Sequence, residues 1–214
     1  MKEMMIYGNP QAEVIICRLV GEHERESIVN EIEQLKGYLP GKDFGVLALP
    51  IADWFYEMSP WKTDEKLFDG SKVGGAVDKL EEIMKHIAEF ESQHPNENRK
   101  YVLAGYSLAG LFALWASYQT DKFSRIVAAS PSVWYPEWIT YIESHECKAD
   151  KVYLSLGSKE HKTRNSLMAK VADNIKIQQQ VLLKQGIDTT FEMNEGNHFK
   201  DVTDRMIKGI LNAF

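Results

Sequence analysis

The sequence has little sulfur chemistry to offer: Cys17 and Cys147 are its two cysteines, and no Cys-x-x-Cys pair occurs. Neither a zinc knuckle nor a dithiol redox motif is therefore expected. Cys17 lies in the apolar run Val14-Ile15-Ile16-Cys17 and reads as a buried thiol, whereas Cys147 lies in the polar segment His145-Glu146-Cys147-Lys148. Positive charge is not in excess either. The formal net charge is −6, and a phosphate-binding surface needs clustered Lys and Arg, so no nucleic-acid partner is expected. No apolar run approaches the roughly 18 residues of a membrane-spanning helix. The start, Met1-Lys2-Glu3-Met4-Met5-Ile6, is too short and too charged for a signal peptide. A cytoplasmic protein without a membrane partner is the expectation. Linkers, repeats and low-complexity tracts are also missing, so the 214 residues read as one domain, 1–214.

What is present is an alternation of two hydrophobic periods. Apolar, β-branched runs at Glu13 to Val20, Phe44 to Leu49, Tyr101 to Ala104, Ile126 to Ala129, Val152 to Leu156 and Thr190 to Met193 predict strands. Between them, Ile28, Ile32 and Leu35 recur at helical spacing, and so do Val73, Val77, Leu80, Ile83, Met84, Ile87 and Phe90. His94-Pro95-Asn96 ends the second of these helices. Leu108 to Tyr118 is apolar all round, as in a buried helix. Met168, Val171, Ile175 and Leu182 mark a helix that stops at Gly186, and Val202, Met206, Ile207, Ile210 and Leu211 mark the last one. The aromatic stretch from Trp54 to Trp61 has no clean period and is interrupted by Pro60, so a loop is expected there. Such alternation implies an α/β fold: a mostly parallel sheet with helices on both faces, its functional groups gathered at the carboxyl ends of the strands.

Chemistry concentrates after the third of these strands. Gly105-Tyr106-Ser107-Leu108-Ala109-Gly110 is a Gly-x-Ser-x-small segment between an apolar strand and an apolar helix, the strand-turn-helix setting of a nucleophilic serine. A turn this tight forces the serine into an unfavourable backbone conformation and leaves room only for small side chains two positions away. The Leu108 N–H, at a helix N-terminus, is then placed to stabilise an oxyanion.

A serine hydroxyl needs a base. Of six histidines, His198 follows the last strand in Glu195-Gly196-Asn197-His198 and precedes the closing helix, completing the chain order serine, acid, histidine. His23 and His161, also after strands, are weaker candidates. Glu160, after the strand Val152 to Leu156, is the candidate acid; Glu195 and Asp201 sit on the histidine's own loop, where reaching Nδ1 is harder. For a second oxyanion donor the candidates are the N–H groups of Val20 and Gly21, after the first long strand.

At these residues the sequence resembles an esterase family of α/β-hydrolases that includes esterase D-like, feruloyl and siderophore esterases. The resemblance is carried by Gly105 to Phe112, by Ala129-Ser130-Pro131-Ser132-Val133-Trp134, by Gly157-Ser158-Lys159-Glu160 and by Met58-Ser59-Pro60-Trp61. It implies the α/β-hydrolase fold, Ser107, Glu160 and His198 as a triad, and a substrate pocket lined by Trp134 and the Asp53 to Trp61 loop with Trp54 and Trp61. Tyr106, a further residue of that pocket, stands where histidine is common in the family, and Ala109 stands where glycine is usual. Trp115, inside a buried helix, reads as core.

The reaction so implied is hydrolysis of a carboxylic ester of a small soluble molecule through an acyl-serine, with no metal and no organic cofactor. Thioester or peptide cleavage by the same triad, and a non-catalytic binding protein on the hydrolase fold, are the alternatives.

Overall fold

A computed structural model describes residues 4–214; Met1, Lys2 and Glu3, on which part of the signal-peptide reading rests, lie outside the described residues. The chain forms two compact units that divide inside one strand, the first running to Leu103 and the second from Ala104 to Phe214.

In the first unit, β2 (Val14–Val20) and β3 (Phe44–Pro50) pair in parallel, and β1 (Met5–Gly8) pairs antiparallel to β3. The order is β1-β3-β2-β4, to which β4 (Lys100–Tyr106) contributes its first half. α1 (Ser27–Tyr38) buries Ile28, Ile32 and Leu35, as its period predicts. It also buries Glu31 on the same stripe, because Arg18 at the centre of β2 is 2 % exposed and needs counter-charge. The Arg18 guanidinium donates to Glu31 Oε1 at 3.0 Å and to Glu24 Oε1 at 2.5 Å. α3 (Ala76–Gln93) turns Leu80, Ile83, Ile87 and Phe90 inward but leaves Val77 exposed.

The second unit continues from Ala104 in the order β4-β5-β6-β7. α4 (Ser107–Gln119) follows β4 directly and is buried from Leu108 to Tyr118; Trp115 packs on Phe112 and is core. β5 (Phe123–Ala129), β6 (Lys151–Gly157) and β7 (Asp188–Asn194) run parallel, with Ala129 opposite Ser155 and Gly157 opposite Asn194. That register starts the loops after β6 and β7 side by side. α5 (Trp138–Ser144), α6 (Val171–Lys184) and α7 (Val202–Asn212) complete the unit. Cys147 is buried despite its polar neighbours, 3.3 Å from Ser117 Oγ, and burial pushes its thiol pKa up.

Three elements differ from the sequence expectation. β1 is an additional edge strand. Trp54 to Met58 is a short helix, α2, rather than loop, because the Asp53 carboxylate caps it by accepting the Tyr56 N–H at 3.0 Å. α5 is the third; its entry passes through Glu137 at φ 64°. Among the described residues, no helix is long and apolar enough to cross a membrane.

Candidate active site

Three chain segments of the second unit converge: the β4–α4 turn and the loops after β6 and β7. At the turn, Ser107 adopts φ 57°, in the left-handed region that costs an L-residue about 1–3 kcal/mol. The glycines beside it explain how the turn closes. A Cβ on Gly105 would lie 2.3 Å from the Ala109 carbonyl oxygen, and one on Gly110 would lie 3.1 Å from the Gly105 oxygen. Ala109 itself is fully buried and fits. As the second residue of α4, Leu108 has an N–H with no acceptor inside the helix, and no side chain caps that end.

The Ser107 hydroxyl lies 2.9 Å from His198 Nε2, and His198 Nδ1 lies 2.7 Å from Glu160 Oε2. A carboxylate only accepts, so Nδ1 carries the proton and Nε2 is left to accept from the serine. Glu160 is 4 % exposed at its side chain and His198 29 %. Ser132 Oγ is a second, longer neighbour of Ser107 Oγ at 3.5 Å, and its N–H donates to the Ser107 carbonyl at 3.0 Å.

The other carboxylate oxygen, Glu160 Oε1, accepts from the Gly157 N–H at 2.6 Å, the Ser130 hydroxyl at 2.8 Å and the Arg205 guanidinium at 2.9 Å. Burial pushes the Glu160 carboxyl upward, but the hydrogen bond and charge of His198, with the bonds from Gly157 and Ser130, outweigh it and hold the pKa below the ordinary range. Gly157 has no room for a side chain, since its Cβ would meet the Gly196 oxygen at 2.6 Å and Glu160 Oε1 at 2.8 Å. The acid and histidine loops are also laced together: Ser158 N–H donates to Asn194 O at 2.8 Å and Lys159 N–H to Gly196 O at 2.9 Å.

Tyr106, the residue before the serine, is buried and turns its hydroxyl to the His198 carbonyl at 2.6 Å. Its ring centroid is 5.3 Å from the imidazole, and burial raises its phenol pKa. Trp134 follows the fully buried Val133 and is itself partly exposed.

Of the remaining sequence candidates, Val20, Gly21, His23, Trp54 and Trp61 belong to the first unit and His161 to the second. The Gly21 N–H donates to Glu24 Oε2 at 3.0 Å and is thus already engaged, while Val20 ends β2 with its carbonyl accepting from Ile51 N–H at 3.0 Å. A Cβ on Gly21 would meet the rings of His23 and Trp54, which stand edge to face at 4.8 Å. Trp61 is partly exposed beyond Pro60. His161 is exposed on the loop that carries Glu160, and no group of metal-ligating side chains exists among the described residues.

Sequence reasoning overlooks Arg205 and Ser130. Arg205 is 1 % exposed on a helix whose sequence shows chiefly an apolar stripe, and an arginine beside Met206 and one turn before Gly209 is the signal that points to it. Ser130, at φ 45°, sits just past β5.

The family model described as "Esterase: Putative esterase" matches residues 74–204. Among curated proteins, no sequence matches the chain. Solved structures do match. An IroE-like serine hydrolase from Shewanella oneidensis superposes with a TM-score of 0.75 at 17% identity, over 99% of this chain and 75% of that one. The siderophore hydrolase EstA from Aspergillus nidulans gives 0.69 at 20% identity, over 95% and 83%. The enterobactin esterase FES from Shigella flexneri gives 0.67 at 14% identity, over 98% and 54%. At such identities the likeness is one of fold.

Proposed function

The chain belongs to the esterase family and is a carboxylic ester hydrolase of α/β-hydrolase fold, and on that premise we propose that it cleaves small soluble esters through an acyl-serine formed on Ser107. The observation that carries this reading is the unbroken row Glu160–His198–Ser107, with contacts of 2.7 and 2.9 Å, ending on a serine held at φ 57°.

In the first half-reaction Ser107 Oγ attacks the ester carbonyl while its proton passes to His198 Nε2. The carbonyl π pair moves onto oxygen, where the Leu108 N–H and the N-terminal end of α4 oppose the new charge. Glu160, ionised at neutral pH, stabilises the imidazolium through Nδ1–H. Collapse of the tetrahedral species expels the alcohol, which takes the proton from Nε2. In the second half, water gives its proton to Nε2 and attacks the acyl carbon, and Ser107 leaves with that proton as the free acid is released. Each proton borrowed by His198 is returned, and no further reactant is required.

The test is hydrolysis of p-nitrophenyl acetate and butyrate by wild type, Ser107→Ala, His198→Ala and Glu160→Ala, with circular dichroism to verify folding. Loss of the serine or histidine should lower kcat at least about a thousandfold; loss of Glu160 should cost less, because the nucleophile, the base and the oxyanion stabilisation remain. A folded wild type that hydrolyses neither ester and takes up no fluorophosphonate at Ser107 would overturn the acyl-serine reading in favour of ligand binding without turnover.

A further inference from the structure

The guanidinium of Arg205 touches the Glu160 carboxylate and the backbone of the loop that carries His198. It projects from the first turns of α7 and is 1 % exposed. Nη1 donates to Glu160 Oε1 at 2.9 Å, to Ser130 Oγ at 3.0 Å and to Tyr106 Oη at 3.1 Å. Nη2 donates to two carbonyls of the histidine loop, Asn197 at 2.9 Å and Glu195 at 3.2 Å. Tyr106, one of the acceptors, passes the constraint on by donating to the His198 carbonyl.

A buried arginine forms a rigid planar fork, and its donors here go to the end of β4 and to the loops after β5, β6 and β7. Its charge is balanced by the Glu160 carboxylate, so the pair is buried without a net charge. Bonding at Oε1 is saturated by Gly157, Ser130 and Arg205, which leaves Oε2 to face the imidazole. The carbonyls gripped by Nη2 lie one and three residues before His198, so the same group sets where the imidazole hangs.

We propose that Arg205 is a positioning residue of the hydrolytic site, fixing the Glu160 carboxylate and the 195–198 loop as one body so that His198 meets both Glu160 and Ser107. The inference rests on the acyl-serine reading. It concerns a residue that touches neither substrate nor the reacting atoms, and it makes α7 part of the catalytic scaffold.

Arg205→Met and Arg205→Lys test it, compared with wild type by thermal unfolding, by kcat and KM on p-nitrophenyl butyrate, and by the rate at which a fluorophosphonate labels Ser107. Methionine keeps much of the volume but none of the donors. A misplaced base costs up to about a hundredfold in rate, so kcat and labelling rate should fall by about that factor in Arg205→Met, with KM within about twofold of wild type. Lysine can reach Glu160 but cannot span both carbonyls, and its kcat should fall between the two. A residue that served only stability would lower the unfolding temperature and leave kcat and labelling of the folded protein at wild-type values. That result overturns the proposal, and so does failure of both variants to fold, since the guanidinium would then hold the fold rather than the site. The two readings separate at the wild-type protein. If Ser107 is not labelled there, the hydrolase mechanism falls; if it is labelled and the Arg205 variants match it, only the positioning role falls.

Discussion

Ser107 sits at φ 57° because Gly105 lets the chain entering α4 pass within contact of the strand it has just left. The two flanking glycines are not equivalent. At Gly105 a Cβ would stand 2.3 Å from a backbone oxygen with nowhere to yield, whereas at Gly110 the nearest atom is 3.1 Å away. Gly105→Ala should therefore cost at least about 1–3 kcal/mol of stability, as overpacking does, and lower kcat because the serine is displaced. Gly110→Ala should cost clearly less on both measures. Unfolding temperatures and ester hydrolysis of the two variants check this, and equal effects would mean that steric closure at Gly105 is not what holds the turn. Much of this was legible beforehand, since small residues around a serine between a strand and a helix have few other uses. Arg205 was not legible, because a lone arginine in an amphipathic helix usually faces water, and only the tertiary placement of Glu160 gives it a buried partner. The place of Val20 and Gly21 after a strand makes their N–H groups candidate donors, a rule that does not see Glu24 three residues beyond Gly21.

Among the elements of the second unit, α4, α5 and α6 are joined by one buried amide. Gln178 on α6 is fully buried; its Oε1 accepts the Trp138 indole N–H at 2.9 Å, and its Nε2 donates to the Tyr118 hydroxyl at 3.1 Å. Replacing it by leucine would remove one hydrogen-bond partner from each of two buried groups, each at up to about 1–3 kcal/mol. Gln178→Leu should accordingly lower the unfolding temperature while kcat and KM of the folded enzyme stay at wild-type values, because the side-chain hydrogen bonds of Gln178 run to Trp138 and Tyr118 and not to Ser107, Glu160 or His198. An unchanged unfolding temperature would show that these bonds contribute little. Such bonds also explain which elements the hydrophobic pattern could and could not reveal. The long strands and helices bury apolar side chains at regular intervals, and their periods are plain. β1 has four residues, three of them exposed, so it carries no burial pattern to read. α2 and α5 are five and seven residues long and depend on an aspartate cap and on the Trp138–Gln178 bond, which belong to sequence-distant or single-residue chemistry rather than to periodicity.

For the molecule as a whole, ionisation sets two limits on stability. Glu160 and Glu192 have pKa values below the ordinary carboxylate value of 4.5. In each, burial acts upward, but hydrogen bonds and charge win: His198 for Glu160, Lys208 and Tyr153 for Glu192. A carboxyl with a lowered folded pKa stabilises the native state above its unfolded value, and that contribution disappears as pH falls toward the folded one. The tyrosines act at the other end. Tyr101, Tyr118 and Tyr153 have phenol pKa values raised above 10.0, chiefly by burial. Their contribution is complete below the unfolded value and is lost as pH rises toward the folded ones. The unfolding temperature, followed by circular dichroism from pH 3 to 11, should therefore hold roughly level between about 5 and 10 and fall on either side. Glu160→Gln removes one of the acid-side groups, so that variant should start from a lower plateau and show a shallower acid fall than wild type. Identical acid limbs for the two proteins would mean that the carboxylate facing His198 takes no part in the acid sensitivity of the fold, and that its low pKa has an equal counterpart in the unfolded chain.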